Sequence, residues 1–440
     1  MLIIMKFFSL FLRSSHLFYL ISLSRGKNYK NFIKTFDYES LIRSERAEYY
    51  LPKIQNGRIR ALLRHAKRNV PYWGEQKVEN LKLETFPVTG KQEIKRDFKK
   101  FISTDIAPSD YFEDVTSGTS GIPFSFLSDR RFLLRRSVMH KRGNSWAGFA
   151  EADKTFRVLR REIPGLEGLG TFYKFSDPET LVKDKDYLYG ILSSHDFVLY
   201  AFSSFVTSFV QLAEKDNMII PLKAVVSTGE QLSPFYKELC EKMFRCKVFD
   251  SYSMREFGRI AQECGEHNGL HINSEMFFIE IVGTNGERLE DGKEGRVVIT
   301  SFDNYVMPFI RYDTDDIGRI IREKCSCGRI LPRLFLSGRM SDSIQLGDGR
   351  EIHPSKLYKI FNRRFQEIKQ FQIVQKSIND LVINIIPTER FKSETKDQIR
   401  EETKMELGQN IQIVVNTVDK LNVTAGGKVP VFISEIKGKD

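Results

Sequence analysis

The chain of 440 residues is 41% hydrophobic, ample for packed cores, and is too long for one ordinary core at roughly 100–200 residues per unit. Its net charge of +11 is unevenly placed: residues 1–100 hold 21 Lys/Arg against nine Asp/Glu, and the rest of the chain is close to neutral. No recognised nucleic-acid motif accompanies the charge, so nucleic acid is not expected as a partner, and five cysteines, an odd number, fit a reducing cytoplasm better than a disulfide framework.

The first 24 residues are apolar, but Lys6 and Arg13 leave no run of about 18 apolar residues, so a spanning helix is not expected. A helix packed on the body is the favoured reading, an interfacial helix giving peripheral membrane contact the second, and a signal peptide the third. Residues 36–70 read as helices with Leu62, Leu63 and Ala66 on one face; Phe86-Pro87-Val88 turns into a helical stretch near 91–100; and 130–146 is basic and helical in pattern. β-Branched runs at 224–228 and 247–251 bracket a helix, which implies a buried, mostly parallel sheet. From 276 to 321 short strands (277–282, 296–300, 317–321) alternate with the turns Asn285-Gly286 and Asp291-Gly292, the mark of a small β-subdomain. Past Arg339 strands at 371–375 and 381–386 flank Asn379-Asp380, followed by a helix at 391–407 and a strand at 411–415.

Thr116-Ser117-Gly118-Thr119-Ser120-Gly121 is a run of small and hydroxylated residues able to aim backbone N–H groups at one anion, closed by Ile122-Pro123. It lacks the lysine and spacing of a Walker loop. Five later segments come in order: Val225-Val226-Ser227-Thr228-Gly229-Glu230; Asp250-Ser251-Tyr252-Ser253-Met254-Arg255-Glu256-Phe257-Gly258; Arg311-Tyr312-Asp313-Thr314-Asp315-Asp316; Gly338-Arg339-Met340-Ser341-Asp342; and Gly426-Gly427-Lys428. Together they resemble the motifs of adenylate-forming enzymes, and with His65-Ala66-Lys67-Arg68-Asn69-Val70-Pro71-Tyr72 the chain is most similar to the phenylacetate-CoA ligase family, in its capsular polysaccharide branch. The resemblance covers roughly residues 60–435.

It implies an α/β adenylate-forming fold: a large N-terminal domain (1–338), with a basic helical region at 1–100 and a β-rich part at 260–335, and a small mobile α+β domain at 339–440. It also implies an AMP-forming ligase that activates a small carboxylic acid with ATP and Mg²⁺ and passes it to coenzyme A or the phosphopantetheine of a carrier protein. A sugar amine or hydroxyl as acceptor, or a non-catalytic relative, are the alternatives. On this resemblance residues 116–121 hold the β- and γ-phosphates, Glu256 takes Mg²⁺, Tyr252 with Asp250 and Ser251 meets adenine, and Gly229 and Glu230 line its pocket. Asp316 accepts from the ribose hydroxyls, Arg339 reaches the ribose or phosphate, and Lys428 acts during adenylation. Two positions depart from the common form: Ile122 stands where many relatives have lysine, and Asp315 where they have glycine.

A second pattern is separate from nucleotide chemistry. Cys264, His271, Cys325 and Cys327 supply three thiolates and one imidazole, a closed tetrahedral set suited to structural zinc. Spacing alone leaves unliganded cysteines in turns as the alternative, and His267 competes as the fourth ligand. The family resemblance favours zinc. Cys240 and Cys246 read as small hydrophobes.

Overall fold

The computed structural model describes residues 45, 50–78, 80–116, 124–150, 153–159, 171–175, 178–230, 232–340, 343–423 and 429–436. The expectations for the first 24 residues lie outside them.

Helix α1 (Tyr50–Asn69) buries Leu62, Leu63 and Ala66 completely, and burial of each leucine contributes roughly 1.5–3 kcal/mol. A short helix at Lys91–Arg96 and a 3₁₀ turn at Phe98–Phe101 occupy the next helical stretch. Strands β1 (Tyr111–Thr116) and β2 (Phe124–Asp129) pair antiparallel, with Thr116 opposite Phe124. Asp129 then starts α2 (Arg130–Trp146) by accepting from the Phe132 N–H at 2.7 Å, an N-cap that satisfies one of the helix's orphan donors.

Strands β3 (Thr155–Leu159) and β4 (Thr171–Lys174) pair in parallel. So do β5 (Val198–Phe202) and β6 (Ala224–Thr228), each followed by a helix, α3 (Ser203–Lys215) and α4 (Pro234–Phe244). The direction then changes. β7 (Lys247–Met254), β8 (Gly258–Glu263) and β9 (Leu270–Ile272) pair antiparallel, because the connection 255–257 is far too short for a parallel crossover. The mostly parallel expectation therefore does not extend past β7. β10 (Phe277–Val282) and β11 (Gly295–Ser301) form an antiparallel pair; β12 (Tyr312–Ile321) and β13 (Arg333–Arg339) come next, and β13 pairs with β9 so that Arg333 opposes His271.

At the C-terminal end β14 (Ile344–Gln345) pairs with β15 (Glu351–Ile352), and α5 (Ser355–Asn362) comes after them. A four-stranded sheet completes this part, in the order β18-β17-β16-β19, built from β16 (Ile368–Ser377), β17 (Asp380–Pro387), β18 (Gln412–Thr417) and β19 (Phe432–Ser434). Helix α6 (Ser393–Leu407) lies between β17 and β18 in sequence and buries Ile399 and Leu407 in a core with Phe361, Ile373, Leu381, Ile383 and Ile385.

The described residues separate into two compact units. One takes the chain to Lys174 with Phe249–Thr314 and Gly318–Leu336; the other takes Phe175–Val248, Asp315–Ile317 and the chain from Ser337. The first has a core of α1, the aromatic group Phe257, Phe277, Phe309 and Tyr312, and strands β10 to β13. Within the second, Ser233 at the start of α4 donates to the Lys369 carbonyl of β16 at 2.9 Å.

Candidate active site and metal centre

The antiparallel turn of β8 into β9 and the return of β13 against β9 bring three cysteines and a histidine together. The donor atoms of Cys264, His271, Cys325 and Cys327 all lie within 4.8 Å of one another. Zinc bond lengths of about 2.3 Å to sulfur and 2.0–2.1 Å to nitrogen require tetrahedral edges of about 3.8 Å (S···S) and about 3.5 Å (S···N). The Cys264 Sγ to Cys325 Sγ separation is 4.0 Å and that of Cys327 Sγ to His271 Nε2 is 3.3 Å, so small adjustments would seat the ion. The other ring nitrogen of His271, Nδ1, donates to the Leu331 carbonyl at 3.2 Å, which fixes the tautomer and turns the Nε2 lone pair toward the thiols.

Burial lowers the imidazole of His271 to about 4, keeping it neutral as a ligand must be. Burial likewise pushes the Cys264 thiol up to about 12. At Cys327 burial pushes in the same direction, but donors from Arg329 and the neighbouring thiols prevail and hold it below its ordinary range. A divalent cation held there would deprotonate the coordinating thiols outright. His267 lies outside the set: its Nδ1 faces Glu263 Oε2 at 3.0 Å.

Behind the cluster stands a buried ionic bracket. Arg142 of α2 is fully buried and donates from Nη2 to Asn273 Oδ1 at 2.6 Å and to Glu275 Oε2 at 2.7 Å. Its guanidinium lies 4.9 Å from the ring centre of Trp146, whose Nε1 donates to Glu45 Oε1 at 3.0 Å. Glu45 also accepts from Arg329 Nε at 3.0 Å, and Trp146 meets the His271 ring edge-on at 5.7 Å. Sequence reading missed this bracket because each of its hydrogen bonds spans more than 100 residues.

In the same unit, the turn between β7 and β8 carries Glu256. Phe257 anchors the turn by packing on Phe309 at 5.2 Å, Tyr312 at 5.6 Å and Phe277 at 5.8 Å. Gly258 comes next at φ +76°, where a Cβ would stand 2.5 Å from Arg136 Nε. Glu256 is thereby held with 5% of its surface exposed, and Tyr312 donates to its Oε1 at the long distance of 3.5 Å. Burial raises its carboxyl above the ordinary range, opposed by the positive charges of Lys91 and Arg136. Arg255 pairs with Asp114 of β1 at 3.2 Å rather than with Glu256, which ties the Glu256 turn to the strand that ends at Thr116. Tyr252 is half-buried on β7, its hydroxyl 3.5 Å from Met254 Sδ; Asp250 and Ser251 precede it, the Asp250 N–H donating to Glu263 Oε2 at 3.0 Å.

The second unit carries other residues that the family resemblance assigns to the nucleotide. Gly229 follows β6 at φ +84°, where a Cβ would stand 3.1 Å from the Phe202 ring, and the Glu230 carbonyl accepts from Ser203 Oγ at 2.5 Å. Asp315 occupies φ +66°, the left-handed region, which suits glycine and which aspartate tolerates better than most residues. Asp316 Oδ1 stands 3.6 Å from Arg339 Nε. Ser117 to Gly121, Ser341, Asp342 and the Gly426-Gly427-Lys428 segment lie outside the described residues. Cys240 and Cys246 carry thiols pushed up by burial, Cys246 to about 12, as inert small hydrophobes would. Among the described residues no helix is long and apolar enough to cross a membrane.

Parts of the chain resemble known proteins. Residues 345–435 match the family model of the CapK C-terminal domain. The phenylacetate-coenzyme A ligase of Escherichia coli is 24% identical over 341 residues, spanning 70% of this chain and 75% of that protein. The phenylacetate-coenzyme A ligase of Thermus thermophilus is 28% identical over 155 residues, 34% of this chain and only 33% of that protein. Among solved structures, 2-hydroxyisobutyryl-CoA ligase in the postadenylation state in complex with R3-HIB-AMP superposes with a TM-score of 0.72 at 18% identity, covering 89% of this chain and 91% of that one. The fold is that of adenylate-forming CoA ligases.

Proposed function

Since the chain belongs to the phenylacetate-CoA ligase-like family and carries a CapK-type C-terminal domain, we propose that it is an ATP-dependent, AMP-forming ligase that joins a small carboxylic acid to a thiol. A carboxylate is a poor electrophile at neutral pH. Attack of its oxygen on the α-phosphorus of ATP forms acyl-AMP and expels pyrophosphate; attack of a thiolate on the acyl carbon then forms the thioester and expels AMP. Positioning and preorganised charge supply most of the acceleration in such phosphoryl chemistry.

The observation that carries the proposal is the buried carboxylate of Glu256, held at a core-anchored turn that is tied to the strand entering the 116–121 loop. A buried carboxylate whose ionised form is disfavoured is poised to take a hard cation. Mg²⁺ bound there would neutralise charge on the phosphates as the pyrophosphate leaves. The backbone N–H groups of 116–121 would hold the β- and γ-phosphates; Ile122 forgoes the direct lysine contact without affecting that cradle. Tyr252, with Asp250 and Ser251, would meet adenine, and Gly229 and Glu230 would line its pocket; Asp316 would accept from the ribose, and Arg339 would reach the ribose or phosphate. Lys428 would stabilise charge during adenylation only, the chain beyond Arg339 then turning to admit the thiol. Zinc at Cys264, His271, Cys325 and Cys327 is assigned a structural role, because four protein ligands leave no open position.

The acceptor is coenzyme A or a carrier-protein phosphopantetheine; the resemblance to the capsular polysaccharide branch supports, as a second reading, a sugar amine or hydroxyl. A panel of acids, phenylacetate included, assayed for pyrophosphate release from ATP with and without coenzyme A tests both. Release with an acid, and AMP and thioester formation on adding coenzyme A, supports the ligase. Release unaffected by coenzyme A moves the acceptor to the second reading, and no release with any acid refutes adenylation.

A further inference from the structure

The end of β13 is built in a way that nucleotide binding does not explain. Gly338 sits at φ +140°, and a Cβ placed on it would lie 2.6 Å from Cε1 of His353. The ring stands so close because His353 Nε2 lies 2.6 Å from the carbonyl oxygen of Arg339. A carbonyl only accepts, so Nε2 carries the proton. Two other contacts fix the acceptor side: the Met340 N–H donates to the Asp315 carbonyl at 2.7 Å, and Arg339 Nε faces Asp316 at 3.6 Å. The donor belongs to the chain on the other side of residues 341–342, directly after β15, whose Ile352 pairs with Ile344.

We propose that His353 is a positioning residue, a latch that holds the Arg339 carbonyl in one of the two arrangements the ligase alternates between, and that glycine at 338 is required to admit its ring. The proposal rests on the two-step reading above, in which the chain after Arg339 turns between adenylation and thiol transfer. His353 belongs to the chain that turns on this reading and the Arg339 carbonyl to the chain that stays, so the turn separates donor from acceptor, while Met340 and Arg339 keep their partners at Asp315 and Asp316. One hydrogen bond to a neutral carbonyl is the right strength for this task. It biases the ratio of the two arrangements about three- to tenfold, yet can break in every turnover. Both the neutral Nε2–H tautomer and the imidazolium donate, so the histidine serves by reach rather than as a pH sensor.

Trypsin reads the latch directly, because the Arg339–Met340 bond is a tryptic site, the Arg339 side chain is 47% exposed, and the carbonyl a protease attacks is the one His353 holds. Initial cleavage at this bond, monitored by mass spectrometry on the full chain, should be compared for wild type, His353→Ala, His353→Gln and Gly338→Ala, with thermal melting of each. His353→Ala and Gly338→Ala are expected to cleave about three- to tenfold faster. His353→Gln, whose amide reaches the same carbonyl, should remain near wild type, with the melting of His353→Ala little changed. Equal rates in all four proteins, or failure of glutamine to rescue, overturn the latch whatever the activity. Pyrophosphate release with the acid panel keeps the outcomes apart: a trypsin contrast in a wild type that never releases pyrophosphate overturns the proposed role in ligation.

Discussion

Replacing one cysteine of the buried cluster offers the most direct test of the metal assignment. Cys325 lies 4.0 Å from Cys264, and Cys327 lies 3.3 Å from His271, so Cys325→Ser exchanges a soft thiolate for a weak neutral hydroxyl at a site 3% exposed. Without the ion, the loop after β8 and the loop before β13 lose their common tether. Arg329 and Trp146, which join this site to Glu45, lose a fixed neighbour at the same time. Loss of a structural metal belongs with the few changes that exceed ordinary core substitutions; breaking a buried charged network costs about 3–5 kcal/mol. For a unit of this size that corresponds to roughly 6–20 °C in melting temperature. Metal content of protein purified without added zinc is to be measured beside thermal melting with and without a chelator, in wild type, Cys325→Ser and His271→Ala. One zinc per chain in wild type, loss in both variants and a chelator-induced fall in melting are expected. A wild type free of zinc, or unchanged content in both variants, refutes the assignment; metal retained in His271→Ala alone transfers the fourth position to His267.

Glu256→Gln should lower pyrophosphate release by more than about 100-fold while the fold survives, because it removes a charge from the reacting phosphates rather than packing from the core; near-normal turnover removes Glu256 from the mechanism. The same variant has a pH signature: the folded carboxyl of Glu256 is raised, so it contributes stability below the unfolded carboxylate range that is lost as pH rises through the raised folded value. Melting measured across that window should therefore be flatter in Glu256→Gln than in wild type, and identical profiles contradict the burial argument. Lys428→Ala should suppress acyl-AMP formation and largely spare transfer from a supplied acyl-adenylate; equal loss of both half-reactions indicates a structural role. Asp315→Val should destabilise by about 1–2 kcal/mol and Asp315→Gly by far less, since only the first forces a β-branched residue to φ +66°; equal denaturant midpoints for the two variants contradict that explanation.

Much of the fold was legible because it is written in local periodicity. β6 and β10 begin and end at the residues the β-branched runs mark, and α2 spans the basic helical stretch at 130–146. The antiparallel pairing of β7 with β8 was less visible, because strand direction depends on the length of the connection between them rather than on the composition of either strand. Ligand chemistry picked out Cys264, His271, Cys325 and Cys327, whose donor atoms the structure gathers within 4.8 Å of one another. What remained hidden has one physical character: support that arrives from elsewhere in the chain. Glu45 reaches Trp146 and Arg329, and Tyr312 reaches Glu256. His353 likewise closes on Arg339, and none of these side chains has a local pattern to announce it. Gly338 shows the limit most clearly. Its sequence context explains why a glycine stands in the motif, but only the ring of His353 beside it explains why any larger residue would push that ring off the Arg339 carbonyl. A motif thus names candidates by local pattern, and the folded chain names the distant side chains that hold them in place.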